Sequence, residues 1–301
     1  MLHFVHHPAY DAETVSDDHR FPMRKYSLLA RQLMLDGLVS PGGYEVPEPA
    51  SHETLSNVHD AAYVEAVMRC EVDRQRSRRI GFEMTPAIAL RTSTSVGGTL
   101  LAAELALRYG AAINTAGGSH HADGEGGAGF CVFNDVAVAA QDLLDRGLAA
   151  RLLIIDCDVH QGDGTAKIFA GDARAFTFSL HCEENWPTRK ASSDFDLGLP
   201  EGTDDTGYLE ALDRALDRLQ ADTVPDLVFY NAGVDPHRDD RLGKLALSDD
   251  GLMERERRIA RWARKRDLPI VGVIGGGYDR DVPALARRHA LLAHAFSEVI
   301  G

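Results

Sequence analysis

No apolar run in this sequence approaches the ~18 residues a helix needs to cross a bilayer, so a membrane-spanning helix is not expected. The opening stretch MLHFVHHPAYD has neither the basic start nor the apolar centre of a secretion signal. Cysteine is scarce. The four present, Cys70, Cys131, Cys157 and Cys182, stand far apart without CxxC spacing, which argues against a disulfide framework or a cysteine zinc site. A reducing compartment follows, and a cytoplasmic location is expected. Positive charge is also short: 32 Lys and Arg face 46 Asp and Glu, and the net of -14 disfavours nucleic acid and anionic membranes as partners. Cationic ligands or lysine-bearing peptides suit that balance better. The one basic run, DRQRSRR at 73–79, reads either as a patch for an acidic partner or as a solvated loop. No repeat, low-complexity tract or linker interrupts the chain, so one domain over residues 1–301 is expected.

What the sequence does contain is an alternation of short apolar runs with helical patterns, the signature of a parallel sheet flanked by helices. Leu209, Leu212, Leu216 and Leu219 recur at helical spacing in GYLEALDRALDRLQ, which predicts an amphipathic helix. Candidate strands are AAINTA (111–116), RLLIID (151–156), AFTFSL (175–180), DLVFYNA (226–232) and PIVGVIG (269–275). Each runs at once into polar or glycine-rich chain: GGSHHADGEGG, CDVHQGDG, HCEENWP, GVDPHRDD and GGYDRD. Ligands of open parallel sheets bind beyond the carboxyl ends of the strands, so these five loops are expected to meet in one cleft.

Four of those loops carry groups able to do chemistry. Asp156, Asp158 and His160 fall on alternate positions at the end of an apolar strand, and alternate residues of an extended chain point the same way. With Asp235 beyond another strand they offer carboxylates and an imidazole, a donor set that suits catalytic zinc or Fe(II). By itself a DxH pair also reads as a buried ion pair or a helix cap. His120 and His121 stand side by side after a strand among glycines that permit close backbone approach; an isolated pair reads equally as surface residues. GGGY (275–278) lacks the Lys and Ser/Thr of a phosphate loop, leaving a tight turn or a phenol carried into the cleft.

Taken together, GGSHHADGEGGAGFCVFND, IDCDVHQGDGT, SLH, NAGVDPHRDDRLG and GGGY resemble the zinc-dependent histone deacetylase family, in order and spacing, from HRFPMRKY near residue 19 to Tyr278. NAGVD…DRLG and ENWPTRKASSDFDLGLPEGT look most like its class IV branch and bacterial relatives. The resemblance implies the arginase/deacetylase fold, a three-layer α/β/α domain with a mainly parallel eight-stranded sheet. It implies that Asp158, His160 and Asp235 hold Zn²⁺, with Fe²⁺ as the other option, while Asp156 orients His120 and Asp163 orients His121. His121 would shuttle the proton and Tyr278 would bind the substrate carbonyl. Gly129, Phe130, Trp186 and Leu242 would line the substrate channel, Trp186 standing where Phe or Tyr is commoner. A structural K⁺ at Asp156, Asp158, His160, Ser179 and Leu180 is also implied, and Arg24 or Lys25 would serve an acetate exit path.

The implied reaction is hydrolysis of the amide of an acylated primary amine, acyl-lysine in a protein or peptide. An acetylpolyamine or other small acylated amine is the alternative substrate. An arginase-like ureohydrolase would need a second metal and DxHxD and SxDxDxxD runs, which DCDVHQGD and NAGVDPHRDD do not supply. A catalytically dead acyl-lysine reader would be expected to lose a ligand, a histidine or the tyrosine, and all are present. Oligomeric state is left open.

Overall fold

The computed structural model describes residues 2–301. Its strands are β1 (Leu2–Val5), β2 (Ala111–Asn114), β3 (Leu152–Asp156), β4 (Ala175–Cys182), β5 (Phe195–Leu199), β6 (Leu227–Asn231) and β7 (Ile270–Val273). The helices are α1 (Lys25–Leu35), α2 (His52–Ser56), α3 (Ala61–Met68), α4 (Arg74–Ile80), α5 (Pro86–Tyr109), α6 (Asp135–Asp145), α7 (Asp163–Ile168), α8 (Asp205–Asp222), α9 (Asp249–Arg264) and α10 (Val282–Val299).

Strand alternation decides the layering. Leu153 and Ile155 of β3 join one apolar cluster, Leu152 and Ile154 the other; β6 divides Val228 and Tyr230 from Leu227 and Phe229 in the same way. Both faces of these strands are buried, which is why they read as continuous apolar runs. The first cluster takes in α1, α8, α9 and α10, and the second takes in α5 and α6. Helices on both faces of one sheet make three layers. The leucines expected on one helix face lie in α8, where Leu212, Leu216 and Leu219 are buried among Asp, Glu and Arg that face outward.

All strands pair in parallel, in the order β1-β2-β7-β6-β3-β4-β5. The sheet therefore has seven strands where eight were expected. Beyond β1, Glu45 makes a single parallel bridge to Val5, with Glu45 N donating to the Phe4 carbonyl at 2.9 Å. Pro47 and Pro49 follow and lack the N–H groups that would continue a ladder, so an eighth strand does not extend there. β1 and β5 were not anticipated: β1 is four residues long, and β5 is an edge strand with alternating exposure. DRQRSRR, read above as a patch or a loop, is helical. Asp73 caps α4, its Oδ1 accepting from Gln75 N at 2.8 Å and Arg76 N at 2.9 Å.

This order sets the site. β2, β7, β6, β3 and β4 are consecutive neighbours, so the loops that leave their carboxyl ends gather along one edge.

Candidate metal centre and active site

Asp158 and His160 leave β3, and Asp235 leaves the adjacent β6; all three are buried. One ligand atom from each lies within 4.8 Å of the others, and among the described residues this is the one such group of three. His160 Nδ1 stands 3.0 Å from Asp158 Oδ1 and 3.1 Å from Asp235 Oδ2. Two carboxylates this close in a buried pocket oppose each other's charge: burial and then Asp158 push Asp235 up to about 7. Burial works against the Asp158 charge too, but His120 and His160 outweigh it and hold its carboxyl well below the usual range. A divalent cation between these oxygens and the imidazole would relieve that repulsion, and the mixed O/N donors fit one.

Backbone approaches this point closely. Gly276 N donates to Asp158 Oδ2 at 2.7 Å, and a Cβ at Gly276 would lie 2.2 Å from Asp235 Oδ2. No other residue type fits there. The loops are braced from behind by a residue that carries no motif. Arg255 on α9 is fully buried and donates to the carbonyls of Cys157 at 3.1 Å and Gly233 at 2.7 Å, while pairing with Glu256. It thereby ties the segment bearing Asp158 to the one bearing Asp235.

The histidines after β2 face this group. His120 Nδ1 meets Asp156 Oδ2 at 2.6 Å, His121 Nδ1 meets Asp163 Oδ1 at 2.8 Å, and the two Nε2 atoms are 3.1 Å apart. Burial opposes a charge on His120, but Asp156 and Asp158 outweigh it and raise its pKa to about 9. Burial and the charge on His120 drive His121 down to about 3 despite Asp163. Of the pair, His121 is the neutral one and can accept a proton. Asp163 is itself held at about 2, where His121 and Lys167 (Nζ at 2.7 Å) overcome its burial.

Tyr278 follows β7; its ring stands edge-on to that of His160, centroids 6.4 Å apart, and burial keeps its phenol protonated far above neutral pH. The cleft walls are aromatic. Trp186, half exposed at the rim, lies 4.5 Å from the His121 ring, and Phe130 lies 5.8 Å from Tyr278. Gly129 has φ +54, and a Cβ there would sit 2.8 Å from His121 and 2.9 Å from Trp186. Leu242 is tied to the Trp186 loop by Asn185, whose amide donates to the Leu242 carbonyl at 2.7 Å. Asp156, the partner of His120, pairs across the sheet with Ser179, and Leu180 follows on β4.

The metal-group, histidine, tyrosine and channel residues singled out in the sequence thus come together at one edge of the sheet. Four that matter were missed: Arg255, Asn185, Asn231, whose amide donates to Asp156 Oδ1 at 3.0 Å, and Arg91. Arg91, buried in α5, donates to the Tyr10 carbonyl at 3.1 Å and the Tyr26 hydroxyl at 2.5 Å, beside a cleft shared with His120, His121 and Tyr278. An arginine inside a helical pattern carries no signal of burial. Of the two basic residues considered for an exit path, Arg24 is exposed, while Lys25 is fully buried with Nζ 2.9 Å from the Gly275 carbonyl.

A model of the histone deacetylase domain matches residues 19–294. The chain belongs to the histone deacetylase family. It is 32% identical over 269 residues to histone deacetylase 2 of Arabidopsis thaliana, covering 86% of this chain and 70% of the relative. An uncharacterised protein of a Picosynechococcus strain is 48% identical over 295 residues, 98% of each chain. Among solved structures, a histone deacetylase homologue from Aquifex aeolicus superposes with a TM-score of 0.84 at 25% identity, covering 98% of this chain and 84% of that one. The deacetylase fold expected from the motifs is therefore the fold of this family member, with one strand fewer than expected. Four free cysteines agree with the absence of a disulfide framework, and no helix among the described residues is long and apolar enough to cross a membrane.

Proposed function

We propose that this protein, as a single catalytic domain over residues 1–301, hydrolyses the amide of acyl-lysine in proteins or peptides. One observation carries the reading: a buried Asp158–His160–Asp235 group stands opposite two histidines, each with its own carboxylate, at the floor of an aromatic-walled cleft. Asp158, His160 and Asp235 would hold Zn²⁺, or Fe²⁺. When bound, such an ion lowers the pKa of water from about 15.7 to roughly 7 and polarises a carbonyl.

The rest falls to the chain. His121, neutral at pH 7, takes the proton from the attacking water and passes it to the leaving amine, a role that typically contributes about 10²- to 10⁴-fold. Asp163 and Asp156 fix the tautomers and ring planes of His121 and His120. Tyr278, kept protonated, donates to the carbonyl oxygen as it gains charge. Phe130 and Trp186 grip the acyl-lysine stem, Leu242 lines the same channel, and the Gly129 carbonyl accepts from the substrate amide. Lys25 and Arg91, two buried cations near the cleft, would lead the product carboxylate away. K⁺ at Asp156, Asp158, His160, Ser179 and Leu180 completes the assignment, supported by the pairing of Asp156 with Ser179. The free cysteines support a reducing, cytoplasmic setting, and the acidic net charge supports a protein without nucleic-acid or membrane partners.

The test is an assay of acetyl-lysine peptide beside N-acetylputrescine and N-acetylspermidine, with longer acyl chains included. Peptide turnover that a chelator abolishes and Zn²⁺ restores is expected. Preference for the acetylpolyamines would move the assignment to small amines, and hydrolysis of none of them would overturn it.

A further inference from the structure

The chain carries a net charge of -14, yet the surface around the channel mouth is rich in arginine. On one side a groove of about 580 Å³ is lined by Arg20, Arg24, Arg241 and Arg280 together with Asp17, Asp18 and Asp279. On the other a groove of about 560 Å³ is lined by Arg74 and Arg78 of α4, by Phe82 and by Glu83. The two are contiguous at His19, which lines the first groove, stacks on Phe82 at 5.3 Å and meets the Gly81 carbonyl at 3.1 Å.

Both grooves are built onto the channel walls. Gly129 N and Phe130 N donate to the carbonyls of Arg79 and Ile80 at 3.0 and 2.6 Å, which fixes the end of α4 against the wall. Opposite, the carboxylate of Asp240 accepts from Leu242 N at 2.8 Å, Gly243 N at 2.9 Å and Tyr278 N at 2.6 Å. One side chain thus sets the Arg241 loop beside the Arg280 loop. The charges there are only partly answered. Asp279 is taken by Arg288, Arg24 lies 4.0 Å from Asp17, and Asp18 and Glu83 are the remaining acidic groups of the two linings. Arg20, Arg241, Arg280, Arg74 and Arg78 are outside every ion pair among the described residues, and Arg20, Arg241 and Arg280 are exposed.

We propose that these rim arginines select acyl-lysine substrates whose flanking side chains are acidic. The proposal rests on the deacylase reading and narrows its substrate class. A peptide entering the channel lies across the mouth in extended form. Residues two or three positions from the lysine then reach roughly 7–10 Å to either side of the mouth. Each exposed charge contact is weak, but several acting together, with complementary fields at the mouth of an otherwise acidic protein, give discrimination.

The experiment uses the zinc-loaded full chain and three fluorescein-labelled acetyl-lysine heptapeptides with Glu, Ala or Arg on both sides of the modified lysine. Binding is read by anisotropy and hydrolysis by kcat/KM. The Glu peptide is expected to bind and turn over about 10-fold better than the Arg peptide at low salt, converging near 1 M salt, where the Debye length is about 3 Å. Arg20→Glu with Arg280→Glu, and separately Arg74→Glu with Arg78→Glu, should reduce or invert the ratio within each variant. Equal binding and turnover of the three peptides overturns the proposal. So does a Glu peptide that binds as well with unmodified alanine in place of acetyl-lysine while its acetylated form shows no kcat/KM advantage, because that marks a polyanion surface without a substrate role. Loss of hydrolysis for every peptide instead strikes the deacylase reading, and the binding ratio still decides the charge preference.

Discussion

At the scale of single residues, the proposed mechanism gives Tyr278 and His121 different work, and they should fail differently. Tyr278→Phe removes one donor to the developing oxyanion and keeps the ring, so kcat should fall by about 10²- to 10³-fold. Metal content should not change, because Tyr278 is outside the Asp158–His160–Asp235 group. Activity within two-fold of the parent protein would remove Tyr278 from the mechanism. Asp163→Asn leaves His121 without the carboxylate 2.8 Å from its Nδ1 and swaps the tautomer that group enforces. The expected result is a kcat loss of about 10- to 100-fold with KM little changed, read from initial rates on acetyl-lysine peptide. Gly276→Ala acts by space alone: its methyl would meet Asp235 and Asp158 oxygens at 2.2 and 2.6 Å. Zinc affinity, measured by competition with a chromophoric chelator, should drop at least 10-fold in a protein that still folds.

At the scale of elements, α9 acts on the site from behind the sheet. Arg255→Met removes the tie between the Cys157 and Gly233 carbonyls and leaves Glu256 buried without its cation, held only by the Tyr230 hydroxyl. Breaking a buried pair from one side costs about 3–5 kcal/mol, so the urea midpoint should shift strongly and zinc affinity should fall with it. Unchanged stability would mean that the loops are held by other contacts. How much of this was legible depends on which element is asked. β3, β4, β6 and β7 were visible as apolar runs because parallel strands buried on both faces carry little else. β1 and β5 were not, since four residues at a sheet edge, or the half-exposed Phe195–Leu199, match many patterns. Arg255, Asn185, Asn231 and Arg91 act through contacts between distant segments, which spacing along the chain does not encode. The proximity of Asp158, His160 and Asp235 was legible because all three follow apolar strands, whose loops gather at one edge of a parallel sheet.

At the scale of the whole molecule, burial of neutral histidines ties stability to pH. His59 donates from Nδ1 to the Asp123 carbonyl at 2.8 Å and accepts at Nε2 from Asn134 N at 2.9 Å, which requires the neutral ring. Burial pushes it down to about 4, and does the same to His6 and His181. Their unfolded-state pKa is near 6.5, so between pH 6.5 and 4 the unfolded chain binds more protons than the folded one. Their contribution is therefore fully present above about pH 6.5 and is lost as pH falls toward 4, on the order of 3 kcal/mol for His59 alone. Thermal unfolding should show Tm falling through this window, with a shallower fall in His59→Gln; a flat profile contradicts it. The charge pattern is also a property of the whole. The sum of -14 says nothing of where the arginines sit; folding gathers Arg241 and Arg280, from the loops after β6 and β7, in one groove and Arg74 and Arg78 of α4 in another.

The proposed chemistry depends most on one ion binding between the loops that leave β3 and β6. The direct measurement is the zinc-to-protein ratio, by elemental mass spectrometry after reconstitution and gel filtration, for the parent chain and for His160→Ala. One zinc per chain in the parent and close to none in the variant is the predicted result. Two per chain, or a full complement retained without His160, would contradict it.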